Sequence, residues 1–473
     1  MNFKGLFYYL GLSCWPVSIL SFINILYCSY FDHYLNLNSY LLTLFISLFC
    51  ALFFYFISKN AEKNIKFYEQ LFLIFIIYLF ISLLISVPYY FSYYQISFID
   101  SFFEAASGLT TTGFTVFTNV KFLDPTLLIW RSSSHWIGGL FFLIFLILIF
   151  SNFKNDYKLT HLVYNPDKAN NIFKDNKKII LKVFFLYFFS TVVIFVLFNF
   201  SGIRLFNSLN LSMTISSAGA FLPTNELSDI IKFTSQKIIL TLALMFSALN
   251  IYFFYSFLSN FSNIKKHYED IIILGGVFLF SFILFFSIKK NTFLDIFLGV
   301  ISSIGNSGIS FFEPPKNFYL FFVFLTIIGG SIISNSAGIK FIRIYILFKS
   351  TVIELFKLAT PNIIIDRRIL KTENKINNEN LNSSFFIFIC FFISIFILSS
   401  VLAADGINFE NSLKLSILTI TNTVNSSLYG LEEVNFLNLL ISSKLFIILF
   451  MVLGKIELIS LFLIIKKVIF DKN

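Results

Sequence analysis

A backbone that leaves the helical pattern at membrane depth must be buried in protein or line a water-filled cavity, because lipid cannot pair its N–H and C=O groups. The stretch Ser107-Gly108-Leu109-Thr110-Thr111-Thr112-Gly113-Phe114 is such a place: a short polar loop between two apolar segments, each long enough to cross a bilayer. Three consecutive threonines offer a row of carbonyl and hydroxyl oxygens, and Gly113 can take a positive φ that turns carbonyls toward an axis. Oxygens so arranged replace the hydration shell of a dehydrated cation.

The rest of the chain fits that setting. Of its 473 residues 57% are hydrophobic and 13% charged, and no soluble core could hide so much apolar surface. This is the composition of an integral membrane protein. The apolar run from Leu6 to Tyr30 follows a single Lys4 and has no small-residue cleavage site at the right distance, so it reads as a retained helix. Cys14, Cys28, Cys50 and Cys390 lie inside apolar runs without metal-ligand spacing and read as small buried hydrophobes.

The formal charge of +10 is distributed as a membrane topology, not as a nucleic-acid surface. With loops assigned alternately, 24 of the 35 Lys/Arg fall on one side, in Lys4, Lys59 to Lys66, Lys154 to Lys182, Lys265 and Lys266, Lys340 to Lys375, and Lys466 to Lys472. The positive-inside rule puts both termini in the cytoplasm. The opposite face carries 10 basic and 12 acidic residues, a slightly negative approach that suits a cation.

Two leading segments, about 6–30 and 39–58, precede a unit that recurs: a long helix, a short segment of about a dozen residues, a polar loop, and another long helix. The short segments cannot span a bilayer and read as re-entrant half helices. Asp100 leads after 13 positions to Gly113, Asn207 after 12 to Gly219, and Asp295 after 13 to Gly308, each as an N-cap, a half helix and a glycine loop. In the fourth copy Asn411-Ser412-Leu413 echoes Asn207-Ser208-Leu209, but Val424 stands where a glycine is expected. The expected fold is all-α and integral to the membrane, with about ten transmembrane helices and four half helices around a central pore. Its parts are two leading helices (1–66), repeat one with a cytoplasmic loop (67–178), repeat two (179–270), repeat three with a broken helix and a cytoplasmic loop (271–383), and repeat four (384–473).

On these residues the chain resembles the Trk/Ktr/HKT family of potassium transporters, and within it the Trk branch, which has two leading helices. The motifs that carry the resemblance are SGLTTTGF (107–114), Trp130-Arg131-Ser132, His135-Trp136-Ile137-Gly138-Gly139, TISSAGA (214–220), IGGSIISNSAGIKFIR (328–343) and MVLGKIE (451–457). The resemblance implies potassium uptake through a selectivity filter built from Thr110, Thr111, Thr112 and Gly113, from Ser217, Ala218 and Gly219, from Asn306, Ser307 and Gly308, and from Asn422, Thr423 and Val424. A glycine such as Gly113 goes with potassium selectivity in the family, while the third and fourth loops depart from its pattern. Val424 resists a positive φ, so the fourth wall is expected to present its carbonyl differently or to use the Thr423 hydroxyl.

The resemblance also implies a gate. The second helix of the third repeat is interrupted between Gly329 and Gly338, where Gly330, Ser334, Asn335 and Ser336 form an intramembrane loop below the filter. Ile332 and Ile333 make it more hydrophobic than the family's form. A simple helix kink is the blander reading. Lys455 stands near the middle of an apolar helix over 445–469, at a cost of roughly 2.5–3.5 kcal/mol, where the family has an arginine projecting into the pore. Lys455 is expected to set an electrostatic barrier and to pair with oxygens of the 331–337 loop. A pair with Glu457 is the alternative, although residues two apart do not face each other on a helix.

Asp100 and Glu104 are expected to cap or line the first half helix, and Arg131 and His135 to brace it. The basic stretches 154–182 and 350–380 read as cytoplasmic faces beside anionic lipid. From the family follow a homodimer, a cytosolic nucleotide-binding regulatory subunit, and a place in the bacterial inner membrane. The chain itself has no GxGxxG or GxxxxGK motif, so nucleotide dependence belongs to a partner, and no cofactor is expected beyond K⁺ as cargo. A Na⁺-selective or ion-coupled transporter of the same fold remains open. A membrane transferase would need clustered acids or histidines at one face, whereas His33, His135, His161 and His267 are scattered.

Overall fold

The computed structural model describes residues 2–59, 65, 67–149, 172–259, 267–288, 291–360, 366–370, 375–431 and 434–456. These residues are helical apart from loops, single 3₁₀ turns and one isolated antiparallel bridge between Arg368 and Lys375. The leading hairpin is α1 (Phe3–Tyr30) and α2 (Leu37–Ile57), followed by α3 (Phe67–Tyr90), the short α4 (Phe98–Leu109) and α5 (Pro125–Ile149). Next come α6 (Ile172–Phe200), the short α7 (Leu205–Ser216), and a helix in two pieces, α8 (Thr234–Ala248) and α9 (Ile251–Ser259). The third group is α10 (Tyr268–Ser287), the short α11 (Phe293–Ile304), α12 (Tyr319–Ile328) and α13 (Phe341–Ala359); the fourth is α14 (Asn378–Ala404), the short α15 (Phe409–Ile420) and α16 (Ile441–Ile456).

Seven helices among the described residues are long and apolar enough to cross a membrane: α1, α2, α3, α5, α6, α10 and α14. The chain is a multi-pass membrane protein. The other three expected spans, the second helices of the later repeats, do not reach that length, because α8 stops at Ala248, α12 stops at Ile328, and α16 is described only to Ile456. The stretch 457–469, and with it Glu457, lies outside the described residues, as do Lys63, Lys66, Lys154 to Lys168, Lys265, Lys266 and Lys466 to Lys472.

Each short helix is 12 residues long, about 18 Å at 1.5 Å per residue against a hydrocarbon core of roughly 30 Å. Such a helix must turn back inside the bilayer. All four run buried toward their C-terminal ends, where Ser107, Ser216, Ser303 and Thr419 have no exposed surface. The core around them is apolar and continuous, joining Phe103, Phe114, Leu211, Leu298, Leu415 and Met451. The leading hairpin is held to repeat one by a buried polar chain at its outer turn: Asn36 Nδ2 donates to Asp124 Oδ2 at 2.9 Å, and the Tyr40 hydroxyl reaches Thr126 Oγ1 at 3.2 Å.

Candidate filter and gate

The four short helices end in the same way. Thr111, Ala218, Asn306 and Asn422 all take left-handed φ, at 61°, 60°, 62° and 49°. The N–H of the next residue bonds back five positions, Thr112 to Ser107 O, Gly219 to Thr214 O, Ser307 to Ser302 O and Thr423 to Leu418 O, at 2.9–3.0 Å. The left-handed residue itself bonds back three positions, to Gly108 O, Ile215 O, Ser303 O and Thr419 O. This is a Schellman cap, which satisfies the last carbonyls of a helix and swings the chain out of it. The caps start from Ser97, Arg204, Thr292 and Asn408, and each left-handed residue lies 14 positions further on.

That register changes two expectations. Asp100, Asn207, Asp295 and Asn411 are not N-caps but stand three residues inside. The Ser97 and Thr292 hydroxyls accept the Asp100 and Asp295 N–H groups and donate to their carboxylates at 2.7 Å, so two capping-type residues share one turn. In the second loop the position matching Gly113, Gly308 and Val424 is Ala220, one residue beyond Gly219. Gly113 and Gly308 have φ of 88° and 70°, while Gly219, Ala220 and Val424 are not left-handed.

The loops touch one another. A Cβ built on Gly113 would lie 2.9 Å from Ala220 Cβ and 3.3 Å from Val424 Cβ, and one on Gly308 would lie 2.9 Å from a Val424 methyl. Asn422 Nδ2 donates to Thr112 Oγ1 at 3.0 Å, joining loops four and one. Asn306 Nδ2 donates to Thr423 Oγ1 at 3.2 Å and Ser426 Oγ to Gly308 O at 2.8 Å, joining three and four. His135 joins one and two: its Nδ1 lies 2.6 Å from Gly108 O and its Nε2 accepts from the Phe221 N–H at 3.1 Å. Thr110, Thr112, Ser217, Ser307 and Thr423 are wholly buried, and the Oδ1 atoms of Asn306 and Asn422 have no protein partner. Oxygens from four hairpins thus meet inside the apolar core.

Beneath them, residues 329–340 form a coil between α12 and α13. The Lys340 ammonium sits inside it with five oxygens of Ser331, Ser334 and Ser336 at 2.5–3.3 Å. Lys455 reaches from α16 and donates to Asn335 O at 3.1 Å and to Thr111 Oγ1 at 2.7 Å. It therefore ties the coil to the left-handed residue of the first loop. Asn335 Nδ2 donates to Ser216 O at 2.8 Å, Ser336 Oγ accepts the Gly330 N–H at 2.9 Å, and Ser334 and Ser336 hydroxyls share a bond at 2.7 Å. Phe142 lies under both ammonium groups, 5.3 Å from Lys340 and 4.5 Å from Lys455.

No family model matches the chain. It is 25% identical over 405 residues to an uncharacterized cation transporter of Methanocaldococcus jannaschii, covering 84% of this chain and 82% of the relative. It is 24% identical over 443 residues to the Trk system potassium uptake protein TrkH of Escherichia coli, covering 89% of each. TrkG of the same organism is 23% identical over 384 residues, 77% of each chain. The crystal structure of the potassium transporter TrkH from Vibrio parahaemolyticus superposes with a TM-score of 0.85 at 20% identity, over 98% of both chains. The chain shares the TrkH fold and is similar in sequence to Trk potassium uptake proteins.

Within this Trk fold several charges sit where the sequence alone did not put them. Lys340 and Arg343, counted with the cytoplasmic basic stretch, are 1% and 2% exposed. Arg131 Nε pairs with Glu104 Oε1 at 2.9 Å, and the Glu104 carboxylate also accepts the Val116 N–H and the Thr115 hydroxyl. This pair props the first loop from behind. Asp100 is paired with Lys444 of α16, and Asp295 with Lys237 of α8, both at 2.6 Å. The second-helix break at Leu249–Asn250 was also unforeseen; its one signal is Asn250, whose Oδ1 caps α9 through the Tyr252 N–H at 3.0 Å.

Proposed function

We propose that this Trk chain conducts potassium ions inward across a bacterial cytoplasmic membrane, with both termini on the cytoplasmic side. The observation that carries the reading is that four Schellman-capped loops, each rich in oxygens, touch one another in one buried region. A cation stripped of water there meets carbonyl and hydroxyl oxygens, Thr110 to Gly113 in the first loop, Ser217 to Gly219 in the second, Asn306 to Gly308 in the third, and Asn422 to Val424 in the fourth. A membrane potential drives it, since 100 mV supplies about 2.3 kcal/mol per charge. The two leading helices and four repeats form one pore from one chain.

The gate is the 329–340 coil, with Gly330, Ser334, Asn335 and Ser336, held by Lys455. The chain acts as a transporter and not an enzyme, needs no cofactor of its own, and works as a homodimer on which a cytosolic nucleotide-binding subunit sets the gate. Support comes from the relatives: those of E. coli are named potassium uptake proteins. Purified protein in liposomes should take up rubidium down an imposed potential, and K⁺ should compete better than Na⁺. Uptake no faster than in empty liposomes would refute the reading. A Na⁺-preferring variant is favoured by one observation, the absence of glycine at Ala220 and Val424; stronger competition by Na⁺ would decide for it.

A further inference from the structure

Two interruptions of helix meet in this fold, and one turn of a third helix holds both. Between α8 and α9 the backbone opens at Leu249–Asn250, freeing Ala248 O and the N–H groups of Asn250 and Ile251. The coil after α12 docks there: the Ser331 N–H donates to Ala248 O at 3.0 Å, and the Ile251 N–H donates to Ile333 O at 3.1 Å. Each break supplies what the other lacks, as neighbouring strands do. The approach is so close that a Cβ on Gly330 would collide with Ala248 O.

Two acids at the start of α10 complete the joint. Glu269 Oε1 accepts the Ile332 N–H at 3.1 Å, and Asp270 Oδ1 accepts the Asn250 N–H at 2.8 Å. Asp270 Oδ2 lies 3.3 Å from His267 Nδ1, whose Nε2 is 3.0 Å from the Ser256 hydroxyl of α9. Glu269 and Asp270 are 4% and 1% exposed. Carboxylates this deep are retained only where partners compensate them. Here the partners are backbone N–H groups of two broken segments, which have no helical acceptor.

We infer that Glu269 and Asp270 are positioning residues that seat the intramembrane coil in the break of the α8–α9 helix, and that the coil leaves the pathway only when this seat lets go. The inference rests on reading residues 329–340 as the gate. Glu269 grips the coil and Asp270 grips the helix, so a small displacement of the start of α10 unfastens both at once. Lys455 holds the coil from the filter side, Lys340 from within, and the acid pair from the repeat-two side.

The test uses the full-length protein in liposomes, comparing wild type, Glu269→Ala, Glu269→Gln and Asp270→Asn by amide hydrogen exchange and by rubidium uptake. Leaving the buried Ile332 N–H without its acceptor is expected to speed exchange over residues 331–333 and 250–251 by roughly ten- to hundred-fold in Glu269→Ala. Glu269→Gln, which keeps an oxygen acceptor, should fall between. Exchange over Ser107–Phe114 should not change, which separates unseating from general loosening. Uptake should rise severalfold. Unchanged exchange over 331–333 in a folded Glu269→Ala protein overturns the seat, as does faster exchange spread evenly over the chain. If Glu269→Ala does not fold, Glu269→Gln decides by the same peptides. Faster local exchange with no rubidium uptake in any variant, wild type included, would sustain the seat and defeat the conduction reading instead.

Discussion

Thr111 is a β-branched residue with φ of 61°, a conformation that costs on the order of 1–3 kcal/mol and persists only where the surroundings over-determine it. Lys455 is part of what holds it, through the bond to Oγ1, while its second bond reaches the coil. Replacing Lys455 by Ala removes both, and rubidium uptake into liposomes should increase severalfold; unchanged uptake would remove this residue from the barrier. Gly113 has the opposite sensitivity. With φ of 88° and Ala220 Cβ in its way, Gly113→Ala should cut uptake at least tenfold, following a strain of about 1–3 kcal/mol in the loop. Lys455 was legible because a charge in the middle of an apolar run demands an explanation. Lys340 was not, since it follows Gly338 near the start of a basic stretch, and only the folded coil shows that its ammonium turns inward to the Ser331 and Ser336 oxygens.

At the scale of elements, the half helices were readable from their length and from the polar loops that follow them. Their first residues were not, because Ser97 and Asp100 are both capping types and both take part in the cap. The break between α8 and α9 carries no Gly or Pro, so an apolar run through Leu249-Asn250-Ile251 looks continuous. Its docking with the coil makes Gly330→Ala a sharp probe: the collision with Ala248 O should unseat the coil and raise uptake, with the protein still folded by gel filtration. Cross-repeat pairs brace the half helices near their N-terminal ends. Lys444→Met leaves Asp100, 8% exposed, without its ammonium, and breaking a buried pair costs about 3–5 kcal/mol. A clear fall in melting temperature is expected, measured by tryptophan fluorescence.

Across the whole molecule the four hairpins are two pairs more than four equals. Repeats one and three share the Ser or Thr cap with its Asp, a lysine from a neighbouring repeat, and the left-handed Gly113 and Gly308. In repeats two and four Arg204 and Asn408 make no side-chain cap bond, and Ala220 and Val424 fill the matching places. The side chains fit that alternation, with Val424 occupying room left by both glycines. Val424→Gly should therefore loosen the ring and lower discrimination between K⁺ and Na⁺, read from ion competition. Sequence spacing showed that the loops recur; it could not show that they converge, since the contacts joining them, such as Asn422 to Thr112, link residues 310 positions apart. The most direct measurement of that convergence at work is rubidium uptake by liposomes holding the purified protein. Uptake should be suppressed by K⁺ and cut at least tenfold by Gly113→Ala, and uptake indifferent to both would contradict convergence.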